Sequence, residues 1–169
     1  ALEIERKFLV TGEGWREAAH AVLPMAQGYL NDIGAMDRGE QHASIRVRIQ
    51  GGEAFLNIKS REIGRSRQEF DYPVPVDDAR ALLALCVGGV IDKRRHLVRH
   101  EGHVWEVDEF LGDNAGLVVA EIELGSPDEA FALPPWAGRE VTDEPRYYNL
   151  ALASRPYSRW IAAERGDQD

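Results

Sequence analysis

Charged and apolar side chains alternate at the start of this chain. Glu3, Glu5 and Lys7 are separated by single residues, among them the apolar Ile4. Successive side chains of a strand point to opposite faces, so a strand here would have one charged face and one apolar face. Paired carboxylates suit a hard divalent cation, and a lysine suits phosphoryl oxygens as a point charge. The spacing therefore points to an anion bound together with metal ions.

The same alternation recurs in five or six later segments that read as strands. An open sheet with one solvated face is the alternative, but such a face would also carry Thr, Ser and Gln. The charged faces here consist mainly of Glu, Asp, Lys and Arg, which favours a barrel with a polar interior and apolar faces turned outward under helices. The expected interior cations are Lys7, Arg46, Arg48, Lys59, Arg67, Lys93 and Arg95, and the expected carboxylates are Glu3, Glu5, Glu69, Asp71, Asp108, Glu121 and Glu123.

So many charges in one cavity require ligands of both signs, because a buried charge is costly unless it is paired. Arg and Lys clusters bind phosphoryl oxygens. The carboxylate pairs Glu3/Glu5 and Glu121/Glu123 suit Mg²⁺ or Mn²⁺. A polyphosphate that enters with about two divalent cations would leave the cavity near neutral.

The composition limits the partners. The net charge is −9, which argues against a nucleic-acid or anionic-membrane surface. Of 20 basic residues only Lys7, Lys59 and Lys93 are lysines, each on a charged face, although chance in an Arg-rich chain is the alternative. Cys86 is the single cysteine, and no apolar run approaches the roughly 18 residues that span a bilayer. We expect a cytoplasmic protein, as a monomer or homodimer.

The chain reads as one domain over 1–164, followed by a disordered tail at 165–169. Gly51-Gly52 between two alternating runs predicts a hairpin, and 61–66 is expected to form a mobile loop. The predicted strands are 2–10, 26–32, 43–50, 53–60, 67–76, 90–100, 103–110 and 117–124. The predicted helices are 12–22, 77–86, 126–133 with a capping box at its start, and 142–164 with a break near Arg155-Pro156.

The charged residues of the predicted strands, in their order along the chain, resemble those of the CYTH superfamily. This superfamily, the triphosphate tunnel metalloenzymes, includes inorganic triphosphatases and class IV adenylyl cyclases. Glu3-x-Glu5-x-Lys7 is similar to the ExExK signature of that superfamily. The further matches, which extend the resemblance from residue 2 to about 153, are QGYL at 27–30, Arg46-x-Arg48, Lys59, Arg67-x-Glu69-x-Asp71, Lys93-x-Arg95, Asp108 in WEVDEF, Glu121-x-Glu123, EVT at 140–142, and Tyr147, Asn149 and Leu152.

The resemblance implies a closed eight-stranded antiparallel β-barrel with a charged tunnel and outer helices, and a divalent-metal-dependent activity on triphosphates. Asp71 stands where the family commonly has Glu, so its reach is shorter. By the same resemblance Glu69 and Asp71 position metal, water or a basic neighbour. The implied metal-facing residues are Glu3, Glu5, Glu121 and Glu123, with Asp108 near them, and the implied phosphate ligands are Lys7, Arg46, Arg48, Lys59, Lys93 and Arg95.

The leading hypothesis is hydrolysis of inorganic triphosphate to pyrophosphate and phosphate with Mg²⁺ or Mn²⁺. Lys7 and the other cations would stabilise the spreading charge, and Glu5 or Glu69 would orient or deprotonate the attacking water. The alternatives are an adenylyl cyclase that forms cyclic AMP from ATP, a hydrolase of nucleoside or thiamine triphosphate, and a non-catalytic binder of polyphosphate or nucleotides. The presence of both Glu pairs favours an enzyme.

Tyr29 shares parity with Gln27, which predicts that it lies inside the barrel. The helix expected around Tyr147 and Leu152 is a candidate to plug one mouth. A tunnel closed at one end would favour short inorganic substrates over nucleotides.

Overall fold

A ring of paired strands forms the body of the molecule. The computed structural model describes residues 2–61 and 66–166. Most of the predicted loop at 61–66 and of the predicted tail at 165–169 lies outside the described residues. The strands are β1 (Leu2–Val10), β2 (Ala19–Tyr29), β3 (Ala43–Gln50), β4 (Glu53–Ser60), β5 (Ser66–Pro73), β6 (Val87–His100), β7 (His103–Phe110), β8 (Val118–Glu123) and β9 (Ala137–Glu140). The helices are α1 (Gly14–Ala18), α2 (Ile33–Asp37), α3 (Val76–Leu83), α4 (Asn149–Ser154) and α5 (Ala162–Arg165).

The pairing of β1 with β5 closes the barrel. The strand order β5-β4-β3-β2-β6-β7-β8-β1 returns to β5 through the partners Leu2↔Gln68, Glu3↔Arg67 and Ile4↔Ser66. Every neighbouring pair in this ring is antiparallel. The predicted closed eight-stranded antiparallel barrel is therefore confirmed. The short β9, which the sequence did not reveal, pairs with the far end of β1 and is not a member of the ring.

The predicted helix at 12–22 is wrong beyond residue 18. Only α1 is helical, and β2 begins at Ala19, where it pairs with Val98 of β6. The long pairing with β6 outweighs the helical spacing of the local sequence. Pro24 is tolerated in β2 because the pairing with β3 begins only at Met25, so Pro24 has a neighbouring strand on one side.

The predicted helix at 126–133 is also wrong, since this segment contains no helix. Glu129 does not complete a capping box at Ser126; its Oε1 accepts the N–H of Gly125 at 2.7 Å. Phe131 packs on Trp105 of β7, with ring centroids 5.9 Å apart. Covering the apolar outer face of the barrel with this segment outweighs the local capping signal.

The C-terminal region is less helical than the sequence predicts. Between 142 and 164 the structure has α4, part of α5 and two short 3₁₀ turns, Pro145–Tyr147 and Tyr157–Arg159. Pro156 follows α4 closely and cannot continue it, because proline lacks the N–H that a helix interior requires.

In the described part of the chain no helix is long and apolar enough to cross a bilayer. The cytoplasmic location stays a prediction.

An apolar plug closes one end of the barrel. By strand alternation Leu9 lies on the same inner face as Lys7, and Val119 on the same inner face as Glu121. Both pack in one buried cluster with Tyr147 and Leu152 of the C-terminal segment. The inside is therefore charged along most of its length and apolar at this end, as expected for a segment that plugs one mouth.

Gly88 allows α4 to dock against β6, and its replacement tests this packing. Gly88 has φ +76°, and a Cβ there would lie 2.5 Å from the backbone oxygen of Ala153. We expect Gly88→Ala to lower the free energy of unfolding by roughly 3 kcal/mol through backbone strain and the clash. Gly102→Ala is the matched control, because Gly102 has φ +85° and nothing within 4 Å of such a Cβ. Strain alone should cost about 1 kcal/mol there; equal losses in chemical denaturation would contradict the close approach.

Candidate active site

A cavity of about 470 Å³ occupies the charged inside of the barrel. All but two of the predicted site residues line it. Those that do are Glu3, Glu5, Lys7, Tyr29, Arg46, Arg48, Lys59, Arg67, Glu69, Asp71, Arg95, Glu121 and Glu123. Strand alternation therefore identified the inner face in β1, β3, β4, β5 and β8.

Lys93 and Asp108 are the two that do not line the cavity. Lys93 Nζ donates to Asp108 Oδ2 at 2.7 Å, and the two side chains are 0% and 3% exposed. Arg95 holds both oxygens of Asp108, through Nε at 2.8 Å and Nη2 at 2.9 Å. Burial lowers the pKa of Lys93 to about 8, although Asp108 opposes the shift. Asp108 thus holds Lys93 and Arg95 together, and the predicted roles of Lys93 and Asp108 in phosphate and metal binding stay predictions.

Ion pairs between strands hold Lys7, Arg67 and Lys59. Lys7 Nζ donates to Glu121 Oε1 at 2.7 Å, where the two residues are direct partners of β1 and β8. Arg67 Nη2 donates to Glu5 Oε1 at 2.8 Å. Lys59 Nζ lies 3.1 Å from Glu3 Oε1 and 3.3 Å from a carboxylate oxygen of Glu69. These contacts draw cations and carboxylates from β1, β4, β5 and β8 together.

The carboxylates of β1 and β8 repel each other. Burial, followed by the charges of Glu121 and Glu3, raises the pKa of Glu5 to about 7 even though Lys59 and Lys7 oppose the shift. Burial and the charge of Glu3 likewise raise the pKa of Glu123, the direct partner of Glu5 across β1 and β8. The Oε2 of Glu3 is buried without a hydrogen-bond partner.

Glu121 is the exception, because Lys7, Arg95 and Lys93 outweigh its burial and hold its pKa well below the ordinary value. Crowded oxygen donors of this kind fit a hard divalent cation, which relieves their repulsion. Among residues 2–61 and 66–166, no three Asp, Glu, His or Cys side chains already form a ligand set. Metal binding by these carboxylates therefore stays a prediction.

Arg46 and Arg48 form the basic side of the cavity. Neither has a carboxylate within ion-pair distance in the described ranges; Arg46 Nε donates instead to Asn57 Oδ1 at 3.0 Å. The Nε of Arg48 is buried without a hydrogen-bond partner. Burial and the charges of Arg46 and Arg95 lower the pKa of Arg48 to about 10. The charges of Asp71 and Glu106 oppose this shift, but no carboxylate among the described residues forms a direct ion pair with either arginine.

Several residues at the site were not among those predicted, and three of them bear on its chemistry. Asn57, which also donates to Asp71, and Glu106, whose Oε2 accepts from Arg95 Nη1 at 2.9 Å, lie on inner faces that strand alternation identifies. Tyr148 also lines the cavity. It precedes α4 in irregular backbone, where no strand period indicates which way a side chain points.

Comparison with known proteins gives a consistent result. The sequence profile of the CYTH domain matches residues 1–155. The chain is 44% identical over 156 residues to an inorganic triphosphatase of Acetivibrio thermocellus, covering 92% of this chain and 95% of that protein. It is 40% identical over 154 residues to an inorganic triphosphatase of Nitrosomonas europaea, covering 89% of this chain and 96% of that protein.

Solved structures share the fold. The crystal structure of the inorganic triphosphatase NE1496 superposes with a TM-score of 0.64 at 34% identity, over 89% of this chain and 93% of that one. A putative adenylyl cyclase from Hippeastrum, described as having a dominant triphosphatase activity, superposes with a TM-score of 0.57 over 75% of this chain and 81% of that one. At 16% identity the second likeness shows the fold alone.

The raised pKa of Glu5 predicts how stability depends on pH. Its folded pKa of about 7 exceeds the unfolded value of 4.5, so the folded state binds more protons between these values. Stability therefore falls as pH rises from about 4.5 to about 7, and above that range the ionised Glu5 destabilises the metal-free protein. We expect Glu5→Gln to raise the free energy of unfolding at pH 8, by up to roughly 3 kcal/mol, and by much less at pH 4.5.

Chemical denaturation with a chelator present would measure this difference at the two pH values. The control is Glu53→Gln at the exposed β3–β4 hairpin, which should show no such dependence on pH. A Glu5→Gln variant less stable than the parent at pH 8 would show that the pair with Arg67 outweighs the repulsion among the carboxylates.

Proposed function

This chain belongs to the CYTH family, and on that premise we propose that it hydrolyses inorganic triphosphate to pyrophosphate and phosphate inside the barrel, with Mg²⁺ or Mn²⁺ as cofactor. The relatives that are 44% and 40% identical are named inorganic triphosphatases and are matched over nearly their whole length, which supports this activity.

The lack of a direct carboxylate partner for Arg46 and Arg48 among the described residues is the observation that carries the proposal. A buried guanidinium without a carboxylate partner is costly, and a polyanion that occupies the cavity removes this cost. Arg is suited to the task because its planar fork binds two phosphoryl oxygens at once.

The paired cations would complete the binding of the substrate. Carboxylates hold Lys7, Arg67 and Lys59. Phosphoryl oxygens are negatively charged like these carboxylates and would compete with them for the three cations. In the transition state negative charge spreads over the transferred phosphoryl group, so cations already fixed around it stabilise that charge without reorganising. Arg95 is held in place by Asp108, to which its Nε and Nη2 donate.

The carboxylates of β1 and β8 are suited to bind the metal ions. Glu3, Glu5, Glu121 and Glu123 would hold them, and a bound Mg²⁺ or Mn²⁺ would neutralise phosphate oxygens and lower the pKa of a water. Asp108 is a less suitable ligand, because Lys93 and Arg95 occupy both of its oxygens. Two ions would balance the charge of a triphosphate best.

Glu5, which lines the cavity, is our candidate to accept the proton of the attacking water. Glu69, which also lines the cavity, is the alternative. The plug at one end, to which Tyr29 contributes, supports a short substrate, since a nucleoside would have to remain on the open side.

Phosphate release by the purified protein tests the activity. With Mg²⁺ or Mn²⁺ we expect rapid cleavage of inorganic triphosphate, slower cleavage of ATP and pyrophosphate, and no turnover after chelation. Glu5→Gln should lower kcat by at least about 100-fold through loss of a proton acceptor and metal ligand. Glu53→Gln, on the exposed hairpin, should retain the parent rate. Cyclic AMP formed from ATP would favour the cyclase, and tight triphosphate binding without turnover would favour the binding module.

Arg48 allows binding to be separated from stability. Because it has no carboxylate partner among the described residues, Arg48→Met should leave the free energy of unfolding unchanged or raise it. The same change should increase KM for triphosphate by about 10- to 100-fold, since it removes charged hydrogen bonds to the substrate. Arg80→Met on the exposed face of α3 is the control and should leave KM unchanged. An unstable Arg48→Met protein with parental KM would assign Arg48 a structural role.

A further inference from the structure

The ring of Tyr148 lies against two cavity cations that come from different strands. Lys7 Nζ of β1 lies 4.2 Å from the ring centroid, and Arg67 Cζ of β5 lies 5.3 Å from it. Both distances fall within the roughly 6 Å over which the face of an aromatic ring attracts a cation. Since β1 and β5 pair to close the barrel, the ring spans the closing seam.

Hydrogen bonds hold this ring in place. The Tyr148 hydroxyl donates to the backbone oxygen of Thr142 at 2.6 Å. The N–H of Lys7 donates to Thr142 Oγ1 at 3.0 Å, and the oxygen of Lys7 accepts from the N–H of Val141 at 2.8 Å. The residue that the ring contacts is thus also the residue that anchors the segment carrying the ring.

The anchor extends to the outer face of the barrel. Thr142 Oγ1 donates to Glu140 Oε2 at 2.6 Å. Glu140 in turn accepts from Arg6 at both oxygens, at 2.9 Å and 2.5 Å. The position of the ring therefore depends on contacts between β1 and a segment more than 130 residues away in sequence, and not on the cavity alone.

The ring differs from the other partners of these two cations. Glu121 holds Lys7 and Glu5 holds Arg67, and both are anions for which a phosphate substitutes. The ring of Tyr148 is uncharged, and burial raises the pKa of its phenol, with Glu5 adding to the shift and Lys7 opposing it. A neutral ring face need not be displaced when phosphoryl oxygens replace the carboxylates.

We propose that Tyr148 is a positioning residue that keeps Lys7 and Arg67 at a fixed spacing while they exchange carboxylate partners for the phosphoryl oxygens of the substrate. This inference rests on the proposed function for the identity of the ligand. It gives the C-terminal segment a part in substrate binding, in addition to closing one end of the barrel. It also implies that a less negative ring face at Tyr148 lowers the affinity for substrate even when the volume of the side chain is unchanged.

A fluorination series at position 148 separates the ring face from the volume of the side chain. Tyr148→Phe retains the face, and 4-fluoro-, 3,5-difluoro- and 3,4,5-trifluorophenylalanine at the same position withdraw charge from it in steps. The Kd of inorganic triphosphate, measured by calorimetry with Mg²⁺, should rise along the series, reaching about tenfold at the trifluoro ring. The pH profile of kcat should keep its shape, because the ring does not transfer a proton.

Tyr157 supplies a matched control. Its ring lies 4.7 Å from Arg165 Cζ and does not line the cavity. The same fluorinated residues at position 157 should leave the Kd of triphosphate unchanged. A constant Kd across the series at position 148, in a parent that binds triphosphate, would overturn the proposal, because volume alone would then account for Tyr148.

A double-mutant cycle in unfolding free energy keeps the test independent of the substrate. Trifluorination at position 148 should destabilise the parent more than it destabilises Lys7→Met, which lacks the cation. Equal effects in the two backgrounds would overturn the contact on which the proposal depends. If this coupling is present but the parent neither binds nor cleaves triphosphate, the proposed function fails, and with it the assignment of Tyr148 to triphosphate.

Discussion

Burying charged side chains inside a closed barrel is the constraint on which the rest of this structure depends. Most interior cations are satisfied by carboxylates on neighbouring strands, as in Lys7 with Glu121 and Lys93 with Asp108. Without such pairing, desolvation of these charges would be costly. The pairing is incomplete, however, and the two places where it fails define the chemistry of the site.

These two places carry opposite charge. At the seam between β1 and β8, Glu5 and Glu123 face each other, and the pKa of each is raised. Across the cavity, Arg46 and Arg48 lack carboxylate partners among the described residues, and the pKa of Arg48 is lowered. A cation at the first place and an anion at the second would relieve both strains. These two places are what the proposed binding of triphosphate together with metal ions would use.

The C-terminal segment outside the ring of strands closes one end of the cavity. Tyr147 and Leu152 cover the apolar end of the barrel, where Leu9 and Val119 replace the charged residues found further along the same strands. The backbone of β1 holds this C-terminal segment through Lys7, a residue whose side chain also belongs to the cavity. The strand β1 therefore takes part both in closing the barrel and in forming the site.

The charged face of each strand could be predicted from the order of amino acids, because side-chain alternation is a local property of the extended backbone. Glu3, Glu5 and Lys7 are an example. Alternation predicts which face of a strand a side chain lies on, but not whether that side chain reaches the cavity. Only the folded structure shows that Lys93 and Asp108 are buried on the inner face without lining the cavity. Local signals also failed at 19–22 and 126–133, where pairing with β6 and packing on Trp105 outweighed helical spacing and a capping box. Tyr148 lies in irregular backbone without a period, and only folding brought its ring to Lys7 and Arg67.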